Sequence, residues 1–67
     1  MKITFNGEVM DTPSPEMTVM ELLEWRGGKL QGTAVAVNDK IVPRSKWQDT
    51  KIKEDDRIVM ISAAFGG

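Results

Sequence analysis

The sequence predicts a single α+β domain over residues 1–62, with a flexible C-terminal tail over 63–67. The expected core of that domain is a mixed sheet of four to five strands with one main helix packed on one face. Three observations predict it. Apolar-rich strand runs open and close the domain, at 1–5 and 57–62, and an all-apolar run of strand length lies at 34–37. A helix-start signature lies at 18–21. Turn residues and prolines punctuate the intervals between these segments. At 67 residues the chain is one domain at most. Such a domain buries only ~60% of the surface its unfolded chain exposes, so the core is small.

The first strand is Met1-Lys2-Ile3-Thr4-Phe5, with Ile3 and Phe5 on one face and Lys2 and Thr4 on the other. Asn6-Gly7 follows, a strong hairpin signal because both residues tolerate positive φ. Glu8 to Asp11 is the return strand, and Pro13 and Pro15 stop it because neither can donate to a ladder. Thr18 caps the helix, and Glu21 three residues on completes a capping box. Met17 and Leu22 are placed for a hydrophobic staple across that cap. Val19, Leu22 and Leu23 share one helical face, and Gly27-Gly28 ends the helix through a left-handed cap.

Ala34 to Val37 is the third strand, Asn38-Asp39 a turn, and Ile41-Val42 a short fourth strand ended by Pro43. Ser45 to Gln48 suits one helical turn that folds Trp47 back over the core. Glu54-Asp55-Asp56 is a turn before the most apolar strand, Arg57 to Ser62. The order is β-β-α-β-β-β. A terminal strand this apolar belongs at the centre, beside the first strand, because an edge position invites aggregation. The expected core is Ile3, Phe5, Leu22, Leu23, Val35, Val37, Ile58 and Met60.

Composition removes much chemistry. No cysteine is present, which excludes disulfides, thiolate metal sites and a cysteine nucleophile. No histidine is present either, so the commonest general base and neutral metal ligand are missing. Nine Lys+Arg against ten Asp+Glu give a net charge of -1, unlike the positive excess of a nucleic-acid binder. No apolar run approaches the ~20 residues that span a bilayer, and no signal-peptide stretch follows Lys2. The expected compartment is the cytoplasm, with no nucleic-acid or membrane partner.

Individual residue groups add little catalytic chemistry. Glu8, Asp11, Glu16, Glu21 and Glu24 read as a solvated face, and Glu21 already has its capping role. Asp55 and Asp56 are an ordinary turn pair rather than a cation site. Gly27-Gly28 lacks the surrounding spacing of a phosphate loop. Trp25 and Trp47 read as half-buried packing, because no basic groove accompanies them for base stacking.

Gly66-Gly67 stands apart. At ~7% glycine usage such a pair ends roughly 0.5% of chains by chance, and taken alone it reads as a frayed tail. Yet a segment without Cβ atoms fits a narrow channel and accepts either sign of φ. The α-carboxylate at its end is ionised at neutral pH and becomes a good electrophile once joined to AMP as a mixed anhydride.

Three local segments then point one way. Thr18-Val19-Met20-Glu21-Leu22-Leu23, the segment Asn38-Asp39-Lys40-Ile41-Val42-Pro43-Arg44 with Trp47, and Ile58 to Gly67 occur in order along the chain. With the strand order and the terminal Gly-Gly, the whole chain resembles ubiquitin-like β-grasp proteins, and more narrowly the ThiS family of sulfur carriers for thiazole formation in thiamin biosynthesis. Two positions depart from that pattern: Asp55 stands where glycine is common, and Phe65 is bulkier than the family's small or aliphatic residue. The resemblance implies a carrier rather than an enzyme. It implies that an E1-like adenylyltransferase, using its own ATP and Mg²⁺, adenylylates the Gly67 carboxylate. A sulfur-transfer enzyme then converts that end to a thiocarboxylate, and a thiazole synthase takes the sulfur. No cofactor bound to the chain itself is implied. Ala64, Phe65, Gly66 and Gly67 would form the partner-binding tail.

Strand parity adds a surface. Arg57 is charged, so its face of the last strand points outward, and Val59 and Ile61 share it. These two residues are the expected partner-binding patch beside the tail. Three alternatives stand beside this reading: the related small subunit of molybdopterin synthase, for which the chain is short and from which the Trp47 segment points away, a ubiquitin-like modifier joined through Gly67 to lysines, and a plain interaction domain whose terminal glycines carry no role.

Overall fold

The computed structural model describes residues 1–27 and 32–62, with the backbone alone at Ser62. The elements run β1 (Lys2–Phe5), β2 (Glu8–Asp11), β3 (Met17–Thr18), α1 (Val19–Trp25), β4 (Thr33–Val37), β5 (Lys40–Val42), a 3-10 turn (Arg44–Lys46), β6 (Lys51–Ile52) and β7 (Arg57–Ser62). Five strands form one mixed sheet in the order β2-β1-β7-β4-β5. The apolar β7 is central, parallel to β1 and antiparallel to β4. This is the β-grasp arrangement expected from the sequence.

Two left-handed pairs close the hairpins. Asn6 (φ 49°) and Gly7 (φ 85°) join β1 to β2, and Asn38 (φ 51°) and Asp39 (φ 70°) join β4 to β5. Both central residues of each turn have positive φ, the condition under which a two-residue loop matches the twist of its strands. Asp55 also adopts a left-handed conformation, at φ 69°, which aspartate tolerates better than most residues.

The helix starts as its residues require. Thr18 accepts a hydrogen bond from the Glu21 amide at 3.2 Å, and the Glu21 carboxylate accepts one from the Thr18 amide at 2.8 Å. At the other end Arg26 is the C-cap, and Gly27 follows at φ 72°. Gly28 lies outside the described residues.

All eight residues expected in the core pack there. Ile3, Phe5, Leu22, Leu23, Val35 and Ile58 are buried, and Val37 and Met60 are half-buried against them. Met17, Val19, Trp47 and Ile52 complete the cluster. Met17 and Ile52 belong to a second, two-stranded sheet that the expected strand order omits. In it Met17 lies opposite Ile52 and Thr18 opposite Lys51. Two-residue strands are too short to show alternation, and only long-range pairing defines them.

The tryptophans differ from the expectation of half-burial. Trp47 is 1% exposed, and its indole N–H donates to the Val42 carbonyl at 2.8 Å. The 3-10 turn after Pro43 folds the chain back far enough to bury the ring fully. Trp25 is 41% exposed at the end of α1. Arg26 lies over both the Trp25 ring and the Phe5 ring, at 5.5 and 5.3 Å from their centroids.

Candidate functional site

With α1 and Trp47 on one side of the sheet, the chemistry of the other side follows from register. Ile58 and Met60 point toward the core, so Arg57, Val59 and Ile61 occupy the opposite face of β7. Ile61 lies opposite Ala34 on β4, and Val59 opposite Ala36. Ala36 in turn lies opposite Ile41 on β5. Directly opposite residues share a face, so these five side chains form one apolar surface across three strands.

Ile41 is 73% exposed, Ile61 61% and Val59 44%. Branched side chains thus stand on either side of two alanines, and the relief alternates between raised and low. The expected patch of Val59 and Ile61 is exposed, and Ile41 widens it. Parity could not place Ile41 on this face because a three-residue strand has too few alternations. The clue was its register to Ala36 through the Asn38-Asp39 turn.

The patch has a polar border. Arg57 pairs with Asp39 at 2.7 Å, with side chains 60% and 79% exposed. A pair so open to water contributes little stability, on the order of 0–1 kcal/mol. Its effect is to place charge at one end of an otherwise uncharged surface. Val9, also exposed at 66%, lies beyond Thr4 on β2 and is separated from the patch by β1.

Two asparagines hold β7 in place, a role not visible from their turn positions alone. The Asn38 carboxamide oxygen accepts from the Arg57 amide at 2.9 Å, and its nitrogen donates to the buried Asp56 carboxylate at 2.9 Å. Asp56 also accepts from the Lys53 amide at 2.8 Å. The start of β7 is thereby tied to the β4–β5 turn. Further along, ladder pairing between β1 and β7 covers Thr4 with Arg57 and Phe5 with Ile58. Past it, the Asn6 amide donates to the Ile58 carbonyl at 2.9 Å, and the Asn6 side-chain oxygen accepts from the Met60 amide at 2.8 Å. A side chain thus replaces the next carbonyl of a strand that has turned away.

Gly67 and the remaining tail positions Ala64, Phe65 and Gly66 lie outside the described residues. Among the described residues no three acidic groups converge on a metal-sized site, and no helix is long and apolar enough to cross a membrane.

Comparison with known proteins adds to this geometry. The ThiS family model matches residues 3–67. The sulfur carrier protein ThiS of Escherichia coli (strain K12) is 36% identical over 67 residues, and the match covers 100% of both chains. The crystal structure of a thiamine biosynthesis protein (ThiS) from Geobacter metallireducens superposes with a TM-score of 0.86 at 23% identity, covering 100% of each chain. An NMR solution structure of a thiamine biosynthesis protein from the same organism gives 0.83 at 23% identity, over 100% of this chain and 88% of that one. At these identities the two structures establish the fold.

Proposed function

The chain belongs to the ThiS family, and from that premise we propose that its reactive group is the α-carboxylate of Gly67. It is a sulfur carrier protein of thiamine biosynthesis. The observation that carries the assignment to Gly67 is the extent of the match. Family similarity runs through residue 67, and the 36% identical carrier aligns over the full length of both chains. Gly66-Gly67 therefore lies within the similarity rather than beyond it.

In this mechanism an E1-like adenylyltransferase brings ATP and Mg²⁺. The Gly67 carboxylate attacks the α-phosphorus, pyrophosphate leaves, and an acyl-adenylate forms. A sulfur-transfer enzyme presents a persulfide whose terminal sulfur displaces AMP to give an acyl disulfide, and a second thiol cleaves the S–S bond, leaving the thiocarboxylate and a disulfide on the donor side. A thiazole synthase accepts the sulfur, and Gly67 ends again as a carboxylate. The chain is carrier rather than catalyst, the nucleotide and magnesium belong to the partner, and the cytoplasm is the compartment this chemistry assigns.

Residues 1–62 serve as the handle and 63–67 as the tail, with Ala64, Phe65, Gly66 and Gly67 entering the partner's channel. Five residues span at most ~18 Å when extended. A partner gripping Val59 and Ile61 would therefore hold its reaction centre within that reach of Ser62. Phe65 demands a channel wider at that point than a small residue would.

The test is intact-mass measurement after incubation with an E1-like enzyme, ATP and a sulfur donor. A mass gain of sulfur over oxygen, localised to Gly67, is the expected result. Absence of adenylylation by every cognate activating enzyme removes the assignment.

The surface has its own test. Val59→Asp places a charge in the middle of the apolar patch, and partner affinity should fall about tenfold or more, as for a central interface residue. The position is 44% exposed, so the stability loss should stay within the ~1 kcal/mol span of strand propensity. Titration calorimetry with the activating enzyme and urea unfolding measure the two effects separately. A collapse in stability would show that Val59 is a core residue.

A further inference from the structure

The Asn6-Gly7 turn is the part of the sheet most open to chemical change, and we propose that Asn6 is a spontaneous deamidation site whose conversion unfastens β7. The chain has two asparagines, Asn6 and Asn38, and both occupy left-handed turn positions. Their next residues and their side-chain contacts differ.

Deamidation at an asparagine starts when the following backbone nitrogen attacks the side-chain carbonyl carbon. Gly7 provides that nitrogen with no Cβ to obstruct it, and no atom from beyond residues 6–8 would lie within 4 Å of a Cβ added there. Gly7 is exposed, and its N–H makes none of the turn's backbone hydrogen bonds among the described residues. The Asn6 side-chain oxygen accepts from the Met60 amide, which polarises the carbonyl toward attack. Solvent base removes the Gly7 N–H proton. The nitrogen bonds to Asn6 Cγ, the Cγ–Nδ2 bond breaks, and Nδ2 leaves as ammonia with a proton from solvent. Water then opens the cyclic imide at either carbonyl, giving aspartate or isoaspartate. Water is the one co-reactant.

Asn38 is the built-in control. Its carboxamide is held at both ends, by Asp56 and by the Arg57 amide, and its own amide donates to the Arg57 carbonyl at 2.8 Å. Asp39, with a Cβ, supplies the attacking nitrogen. Asn6 should therefore react about tenfold faster or more, the factor that ~1.4 kcal/mol of barrier gives.

The structural consequence follows from the turn. Isoaspartate inserts an extra methylene into the main chain of a two-residue loop, whose geometry fixes the β1–β2 register. It also turns the side-chain acceptor of the Met60 amide into a main-chain carbonyl, while the residue 6 N–H that donates to the Ile58 carbonyl precedes the inserted methylene and is retained. The side-chain anchor on β7 is the one that is lost.

The experiment ages the intact protein at mildly alkaline pH and 37 °C. Isoaspartyl methyltransferase labelling and peptide mapping then follow residues 6 and 38. The expected result is methylation at residue 6 at least about tenfold faster than at residue 38. The isoaspartate fraction, separated by ion exchange, should unfold at lower urea concentration than the parent. Conversion of Asn38 first overturns the proposal. So does an intact Asn6 over a period in which the free peptide Phe5-Asn6-Gly7-Glu8 converts. An isoaspartate fraction of unchanged stability overturns the part concerning β7. None of these measurements depends on the chemistry at Gly67.

Discussion

Deletion of Gly67 is expected to abolish sulfur loading while leaving the folded domain unchanged. The loss should be complete rather than graded. Under the proposed mechanism loading requires a carboxylate at one defined position, and the shortened chain ends one residue, ~3.5 Å, earlier. Near-attack geometry tolerates displacement of about 1 Å only at a large cost in rate. Stability should stay within about 0.5 kcal/mol of the parent, as for changes remote from the core. Among the described residues the buried cluster runs from Ile3 to Ile58 and closes around Trp47, within the domain itself. Two measurements check this: intact mass after incubation with activating enzyme, ATP and sulfur donor, and urea unfolding without partners. A chain with one alanine appended after Gly67 supplies a second arm. It keeps every native residue but moves the free carboxylate, and it should also fail to load. If either altered chain still gained sulfur, the reactive group would lie elsewhere.

Much of this architecture can be read from residue types because its signals are local. The Asn6-Gly7 turn, the Thr18–Glu21 capping box and the outward parity of Arg57, Val59 and Ile61 each depend on residues a few positions apart. Steric preference and alternation are sufficient to place them. The central position of β7 follows from one longer argument, that so apolar a strand is hazardous at an edge. What is not local is not legible. β3 and β6 pair residues 17–18 with 51–52, and neither strand has enough length to carry a period. Ile41 joins the patch through register, and the side chains of Asn6 and Asn38 fasten β7 through contacts with residues 54 and 19 positions away. The tail chemistry is different again. Gly66-Gly67 alone reads as a frayed tail, and its meaning comes from the family match that surrounds it.

The small core makes Trp47 the side chain whose loss the domain should tolerate least. At ~0.05–0.15 kcal/mol per residue, the stability of such a chain is on the order of 3–10 kcal/mol. Trp47 is the largest of the fully buried side chains, and truncating a buried tryptophan costs about 3–5 kcal/mol. The Val42 carbonyl also loses its indole donor, which adds about 1 kcal/mol unless water replaces it. Trp47→Ala should therefore remove between a third and all of the folding free energy. No disulfide or metal staple compensates, because the chain has neither cysteine nor histidine. Trp47→Phe separates the two contributions. It retains much of the packing but loses the hydrogen bond, so its cost should be intermediate. Urea unfolding followed by circular dichroism measures both, with Trp25 fluorescence as a second probe. An unchanged midpoint for Trp47→Ala would mean that the 3-10 turn packs on the sheet without its indole. The same variant bears on function, because Trp47 sits beneath the sheet whose other face carries Val59 and Ile61. If the core holds that face in register, Trp47→Ala should weaken partner binding through loss of folded population. Excess partner should then restore loading, since a ligand that binds only the folded form stabilises it by mass action. Val59→Asp, which damages the contact itself, should regain loading only at the higher partner concentration that its weakened affinity requires, with its unfolding curve little changed.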